Sequence, residues 1–180
     1  MGSSGAKWGY VENPEGGGLP PRASRRGAGC GDRRDQVVFL GEYQHSVDSK
    51  GRLVLPSKFR ARLERGLVVT KGQERCLYVF PIDRWEEEVE KVNRLPRTDR
   101  RSRNYARSFF GAASDQMLDG QGRVQVPQSL RDYAGFAKDV VVVGVADRVE
   151  IWDAASWAAN SSEADELYAG IEEALSGEGI

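Results

Sequence analysis

The sequence predicts an α+β fold in which a duplicated unit closes a β-barrel with flanking helices. Three observations lead there. "VDSKGRLVLPSKFR" (residues 47–60) and "LDGQGRVQVPQSLR" (residues 118–131) share Asp48/Asp119, Gly51/Gly122, Arg52/Arg123, Pro56/Pro127 and Arg60/Arg131 at a constant offset of 71. Such a repeat sets the architecture, so it outranks other local signals. Around each copy, short β-branched and aromatic runs alternate with short helical patterns. Trp85 and Trp157 then match at an offset of 72, so the duplication extends beyond the opening motif. One strand–turn–strand–helix–strand–strand unit is too small to bury a core well alone. Two copies can pair about a pseudo-twofold axis, close one barrel and dispose of exposed sheet edges.

The elements follow in order. Residues 1–37 are rich in Gly, Pro, Ser and Arg and lack periodicity, which predicts a disordered extension. "VVFLGEYQHSV" predicts the first strand. "DSKG" predicts a turn, because an Asp side chain accepts from backbone N–H groups ahead of it and Gly51 tolerates positive φ. "RLVL" is the return strand. Pro56 fits the first turn of a helix, where Phe59 and Leu63 share a face at i and i+4, and Gly66 ends it. "LVVTK" and "CLYVF" are strands around the turn "GQER", followed by the helix "IDRWEEEVEKV". The second copy runs "ASDQML", "DGQG", "RVQV", "PQSLRDY", then "DVVVVG" and "VEIW" across "VADR", then the helix "DAASWAA". The organisation is thus a first repeat over residues 38–93, an Arg-rich connecting helix over 94–111, a second repeat over 112–158 and an acidic tail over 159–180.

Charge is unevenly spread although the net charge is −1. Residues 38–131 hold eighteen Lys/Arg against twelve Asp/Glu, a net +6, whereas residues 132–180 hold two against eleven, a net −9. An electropositive domain of this kind suits a polyanion. The connecting stretch has six arginines between Arg94 and Arg107 against the single acid Asp99, with Tyr105, Phe109 and Phe110 on an apolar edge. It reads either as a solvated helix packed through its aromatics or as a polyanion contact.

Other classes are disfavoured. The two cysteines, Cys30 and Cys76, have no CxxC spacing, and His45 is the single histidine, so neither a metal site nor another cofactor is expected. The cysteine count suits a reducing cytoplasm. No apolar run is long enough to span a membrane. Asp48 and Asp119 in related lobes invite comparison with an aspartic-protease dyad, but such carboxylates must share a proton. An Arg four residues after each Asp favours the ionised form. A Ser–His–Asp triad would have to rest on the unduplicated His45. No catalytic residue is assigned.

The first hairpin region carries Lys50, Arg52, Lys58, Arg60 and Arg62, whereas the second keeps Arg123 and Arg131. A basic β-ribbon can enter a major groove or straddle phosphates. Lys50 and Arg52 are therefore expected to contact DNA, and Lys58 and Arg60 to add backbone attraction. Arg123 is expected to act more through the fold and the hairpin interlock. Asp48, Gly51, Asp119 and Gly122 are motif residues that shape the turns.

"FLGEYQHSVDSKGRLVLPSKFR", "DGQGRVQVP" and "VEIWDAASW" together resemble the MraZ family of bacterial transcriptional regulators, from Val38 to about Tyr168. The resemblance rests on two D-x-x-x-R motifs, Asp48–Arg52 and Asp119–Arg123. It implies an AbrB/SpoVT-like swapped-hairpin barrel with both halves in one chain, and ring-like homo-oligomers. It further implies a cytoplasmic, nucleoid-associated repressor of the division and cell-wall gene cluster, its own promoter included, that binds double-stranded DNA at direct repeats. Members of the family begin near Val38, so residues 1–37 are either a basic arm or lie upstream of a true start at Val38. The alternative function is an AbrB-like antitoxin or protein-interaction module whose acidic tail binds a partner.

Overall fold

The computed structural model describes residues 38–175, with side chains through Tyr168. The expectations for residues 1–37 lie outside the described residues. The first half runs β1 (Phe39–Ser46), β2 (Arg52–Val54), α1 (Ser57–Leu63), β3 (Leu67–Lys71), β4 (Leu77–Pro81) and α2 (Ile82–Asn93). Helix α3 (Arg100–Gly111) leads into the second half. That half runs β5 (Ser114–Gln116), β6 (Arg123–Gln125), α4 (Gln128–Ala134), β7 (Asp139–Ala146), β8 (Arg148–Asp153) and α5 (Ala154–Leu175).

Prolines place three of the helices. Pro56, Pro81 and Pro127 stand immediately before α1, α2 and α4, each with φ between −51° and −58° and an extended ψ. The ring fixes φ, and the missing N–H falls where no helical partner exists. Pro56 therefore sits one position earlier than the first-turn position expected. Helix α3 has a different start: the Asp99 carboxylate accepts from the Ser102 N–H at 2.7 Å, an ordinary N-cap. Helix α5 continues without interruption past residue 159 to Leu175, so the acidic segment is helical there.

The strands are antiparallel throughout and form a six-stranded sheet, β1-β7-β8-β4-β3-β5, and a two-stranded ribbon, β2-β6. Exchanging the halves turns the sheet order into its own reverse, which is the signature of a pseudo-twofold axis. In the ribbon, Arg52 pairs with Gln125 and Val54 with Arg123, leaving Leu53 opposite its own counterpart Val124. In the sheet, Tyr78 faces its counterpart Glu150. The axis passes through both pairs. Every strand has a partner from the other half, and only the β3–β4 and β7–β8 ladders join strands of the same half. The α+β class holds. The closed barrel is not what the ladder shows, because β1 and β5 are the two ends of the sheet. The ribbon joins it through one bridge, Val47 to Leu53. On the β5 side, the Gln116 side chain bonds the backbone N–H and carbonyl of Gln125 at 2.8 and 2.9 Å.

One core lies inside this arrangement. It holds repeat counterparts together: Leu53 with Val124, Leu55 with Val126 and Phe59 with Leu130, alongside Leu77, Val79, Val149 and Ile151. A second cluster under α2 and α3 contains Phe80, Val92 and Phe109, with Trp85 and Phe110 packed on it. The Thr70 hydroxyl ties α3 to β3 by donating to the Phe109 carbonyl at 2.5 Å. On the axis, the buried Glu150 accepts from the Arg148 guanidinium at 2.8 Å and from the Trp152 indole at 3.1 Å. Arg148 also lies 4.7 Å from the Tyr78 ring centroid.

Leu53 is fully buried on the axis. Leu53→Ala is expected to cost about 2–5 kcal/mol, through lost transfer energy and a cavity the close-packed ribbon cannot collapse. Exposed Lys50→Ala is expected to stay within about 0.5 kcal/mol. Urea unfolding of both variants measures the difference.

Candidate nucleic-acid interface

Each D-x-x-G-R segment folds into the same turn, for local reasons. Asp48 Oδ1 accepts from the backbone N–H groups of Lys50 and Arg52, both at 2.9 Å. Asp119 Oδ1 accepts from those of Gln121 and Arg123, again both at 2.9 Å. The second carboxylate oxygen takes the arginine: Arg52 Nε donates to Asp48 Oδ2 at 2.8 Å and Arg123 Nε to Asp119 Oδ2 at 2.7 Å. Only a short carboxylate reaches two backbone donors and a side chain at once. The fourth position needs left-handed backbone, and Gly51 and Gly122 have φ of +77° and +73°.

These contacts hold both carboxyls well below the usual range, at about 2. For Asp48 the Arg52 side chain contributes most, followed by the Arg52 backbone N–H. For Asp119 the order of the two Arg123 contributions is reversed. Each carboxylate is thus held ionised by its own arginine, which is the opposite of a shared-proton dyad. His45 on β1 is pushed down by partial burial and by Arg60. Among the described residues, no group of three or more His, Cys, Asp or Glu could hold a metal ion.

Strand alternation then decides which side chains face outward. Leu53 and Val124 point into the core, so Arg52, Val54, Arg123 and Gln125 occupy the opposite face of the ribbon. Arg52 and Arg123 lie diagonally across it as symmetry mates. They are similarly accessible, with 30% and 24% of their side-chain surface exposed. Lys50 stands exposed at the tip of the first turn.

The other basic residues do different things. Arg60 Nε donates to the Leu55 carbonyl at 2.9 Å. Its guanidinium covers Gly122, where an added Cβ would come within 2.4 Å of it. Arg131 mirrors this: it donates to the Val126 carbonyl at 2.6 Å, and it covers Gly51 so closely that a Cβ there would lie 1.5 Å from its Nη1. Each half therefore clamps the turn of the other half. Lys58 is exposed, with its ammonium 5.9 Å from the Tyr43 ring centroid. Sequence reasoning missed the clamp by Arg131 and the bond from Gln125 Nε2 to the Lys50 carbonyl at 2.8 Å. The Arg60/Arg131 identity in the repeat was the available signal for the first.

The profile of the family described as "MraZ protein, putative antitoxin-like" matches residues 38–108 and again residues 109–176. The chain belongs to the MraZ family. A protein of Desulfitobacterium hafniense (strain DSM 10664 / DCB-2) named transcriptional regulator MraZ is 46% identical over 143 residues, 79% of this chain and 100% of that protein. The Thermobifida fusca (strain YX) protein of the same name is 48% identical over 141 residues, 78% of this chain and 99% of its own length. That of Frankia casuarinae is 49% identical over 136 residues, 76% of this chain and 95% of its length. The two MraZ matches meet inside α3, so each contains one D-x-x-x-R turn.

A depressed folded-state pKa adds stability that is complete above the unfolded value and lost as pH falls through the folded one. For Asp48 and Asp119 that window runs from the ordinary 3.8 down to about 2. Melting temperature is expected to fall on acidification across this window, and the Asp48→Asn/Asp119→Asn variant to show a flatter acid limb. Thermal melts across the window check it.

Proposed function

We propose that this protein is a DNA-binding transcriptional regulator that reads double-stranded DNA with the outward face of the β2–β6 ribbon. The observation that carries the proposal is the presence of Arg52 and Arg123 on one face, each aimed by its own aspartate. A two-stranded ribbon fits the major groove, where arginine reads guanine through its O6 and N7. A guanidinium has five N–H donors, and Asp48 Oδ2 engages only the Nε and Nη2 of Arg52. The remaining donors are held in a fixed direction, as a recognition group requires. Lys50 and Lys58 supply phosphate attraction. Arg60 acts chiefly through the shape of the turn it covers. The names of the relatives support the regulatory role.

The finer reading is a repressor of the division and cell-wall gene cluster, its own promoter included, acting on direct repeats in the cytoplasm at the nucleoid. One ribbon offers few contacts. A ring-like homo-oligomer that presents several ribbons gains affinity on repeated boxes through effective concentration.

The test uses DNA upstream of the protein's own gene, in fluorescence anisotropy. Arg52→Ala and Arg123→Ala are each expected to cost about 1–3 kcal/mol of specific binding. Lys50→Ala is expected to weaken all sequences alike and reduce the salt slope by about one unit. Wild-type affinity in a folded Arg52→Ala/Arg123→Ala variant removes the ribbon from the interface.

A further inference from the structure

The two ends of the ribbon are built alike and charged differently. A half-turn about the pseudo-twofold axis exchanges Arg52 with Arg123, so their placement does not distinguish one direction along DNA from the other. The residues around them do. Arg131 of α4 closes over Gly51, which sets the first turn against α4; Arg60 of α1 closes over Gly122, which sets the second turn against α1. At the first end the turn tip is exposed Lys50, and the first turn of α4 presents exposed Ser129. At the second the tip is exposed Gln121, and the first turn of α1 presents exposed Lys58. Lys50 and Gln121, like Lys58 and Ser129, are counterparts at the offset of 71.

Beside Ser129 lies an open cleft of about 370 Å³ lined by Lys71, Arg107, Ser108, Gly111, Ala112 and Ser129. It exists because β5 is short. In the other half, β1 pairs with β7 along the whole of both strands. The position related to Lys71 there is Gly144, since Lys71 pairs with Leu77 as Gly144 pairs with Val149. β1 runs so close to it that an added Cβ would lie 2.5 Å from the Leu40 nitrogen. β5, by contrast, pairs only with Leu67–Val69 of β3. Past its end the cover is the last turn of α3, and Lys71 and Arg107 are left on the two sides of a gap. Lys71 is half-buried, with its ammonium 4.9 Å from the Tyr133 ring centroid. Arg107 is exposed and donates to the Asn104 side-chain oxygen at 3.3 Å. Among the described residues, neither cation forms an ion pair. Two cations and two hydroxyls around one opening, with no carboxylate in its lining, suit an oxyanion. Ser129 stands four residues after Gln125, the end of β6, so the cleft adjoins the ribbon.

We propose that this cleft seats a backbone phosphate of the DNA just outside the ribbon, held by Lys71 and Arg107, and that this one-sided contact sets the direction in which the chain lies on its site. The proposal rests on the ribbon reading given above and deepens it. Phosphate contacts carry no base sequence directly, but they fix register and orientation. The cleft and Lys50 hold the first-turn end of the ribbon, and Lys58 holds the other. Direct repeats require such a direction, because every box must be met the same way round.

Lys71→Ala/Arg107→Ala removes the seat. Ser129→Glu, at an exposed position, puts an opposing charge into it and is the second variant if the first fails to fold. Melting curves check folding. Fluorescence anisotropy reads binding to a duplex from upstream of the protein's own gene, trimmed by footprinting to one box. Salt is varied, and single phosphates are replaced in turn by neutral methylphosphonates. Wild type is expected to lose about tenfold in affinity at a methylphosphonate on one flank of the box and less at the matching position on the other. The folded variant is expected to lose about one unit of salt slope and to ignore that methylphosphonate. If it keeps the wild-type slope and the wild-type methylphosphonate pattern, the cleft seats no DNA phosphate. A lower slope with the pattern unchanged shows diffuse attraction and overturns the seat as well. Equal losses on both flanks in wild type overturn the assignment of direction. The ribbon reading fails separately, through wild-type affinity in the folded Arg52→Ala/Arg123→Ala variant.

Discussion

Everything else in this structure depends on the way two turns hold each other. The Gly51 carbonyl accepts from the Val126 N–H at 2.8 Å, and the Gly122 carbonyl accepts from the Leu55 N–H at 3.0 Å. Arg131 closes over the first glycine and Arg60 over the second. Neither half can complete its own turn environment. The ribbon, its alternation and the diagonal placement of Arg52 and Arg123 follow from this exchange. The glycines thus have two functions: they accept left-handed backbone, and they leave space for an arginine from the other half.

Duplication also fixes where the halves are free to differ. The shared core contains repeat counterparts from both halves, with Leu53 directly opposite Val124, because both halves close on the same interior. Residues on the outer faces have no such constraint. One outer face carries α3 with its arginines and aromatics; the other carries a long acidic helix beside an open groove. The strong charge contrast between the halves is accordingly a contrast between outer faces and leaves the core unaffected.

Much of the fold was legible because its signals are local. The D-x-x-G-R turns, the prolines ahead of the helices and the β-branched runs each act within a few residues. Partner choice was not legible. An offset of 71 says that two segments are alike, and nothing in it says that β2 pairs with β6 or that the sheet stops at β1 and β5. How the basic residues of the first hairpin region are laid out in space was not legible for a related reason. Charge counted along a segment is not charge on a face: Arg62 lies 5.3 Å from the Phe39 ring centroid, Lys58 near the Tyr43 ring and Arg60 over Gly122. Once these are placed, Arg52 and Arg123 share one face of the ribbon, with exposed Lys50 at the tip of the first turn.

The pairing of Tyr78 with Glu150 bears on why both halves sit in one chain. In a dimer of identical half-length subunits, a residue on the twofold axis must face itself. Glu150 would then meet a second buried glutamate, and like charges directly opposite in a sheet are destabilising. Tyr78 would meet a second tyrosine and lose the Arg148 guanidinium stacked on it here. Covalent fusion lifts that self-facing requirement. It allows an aromatic on one side of the axis and a carboxylate bonded to arginine and tryptophan on the other, a mixed centre that no strictly symmetric ancestor of this sheet could have held.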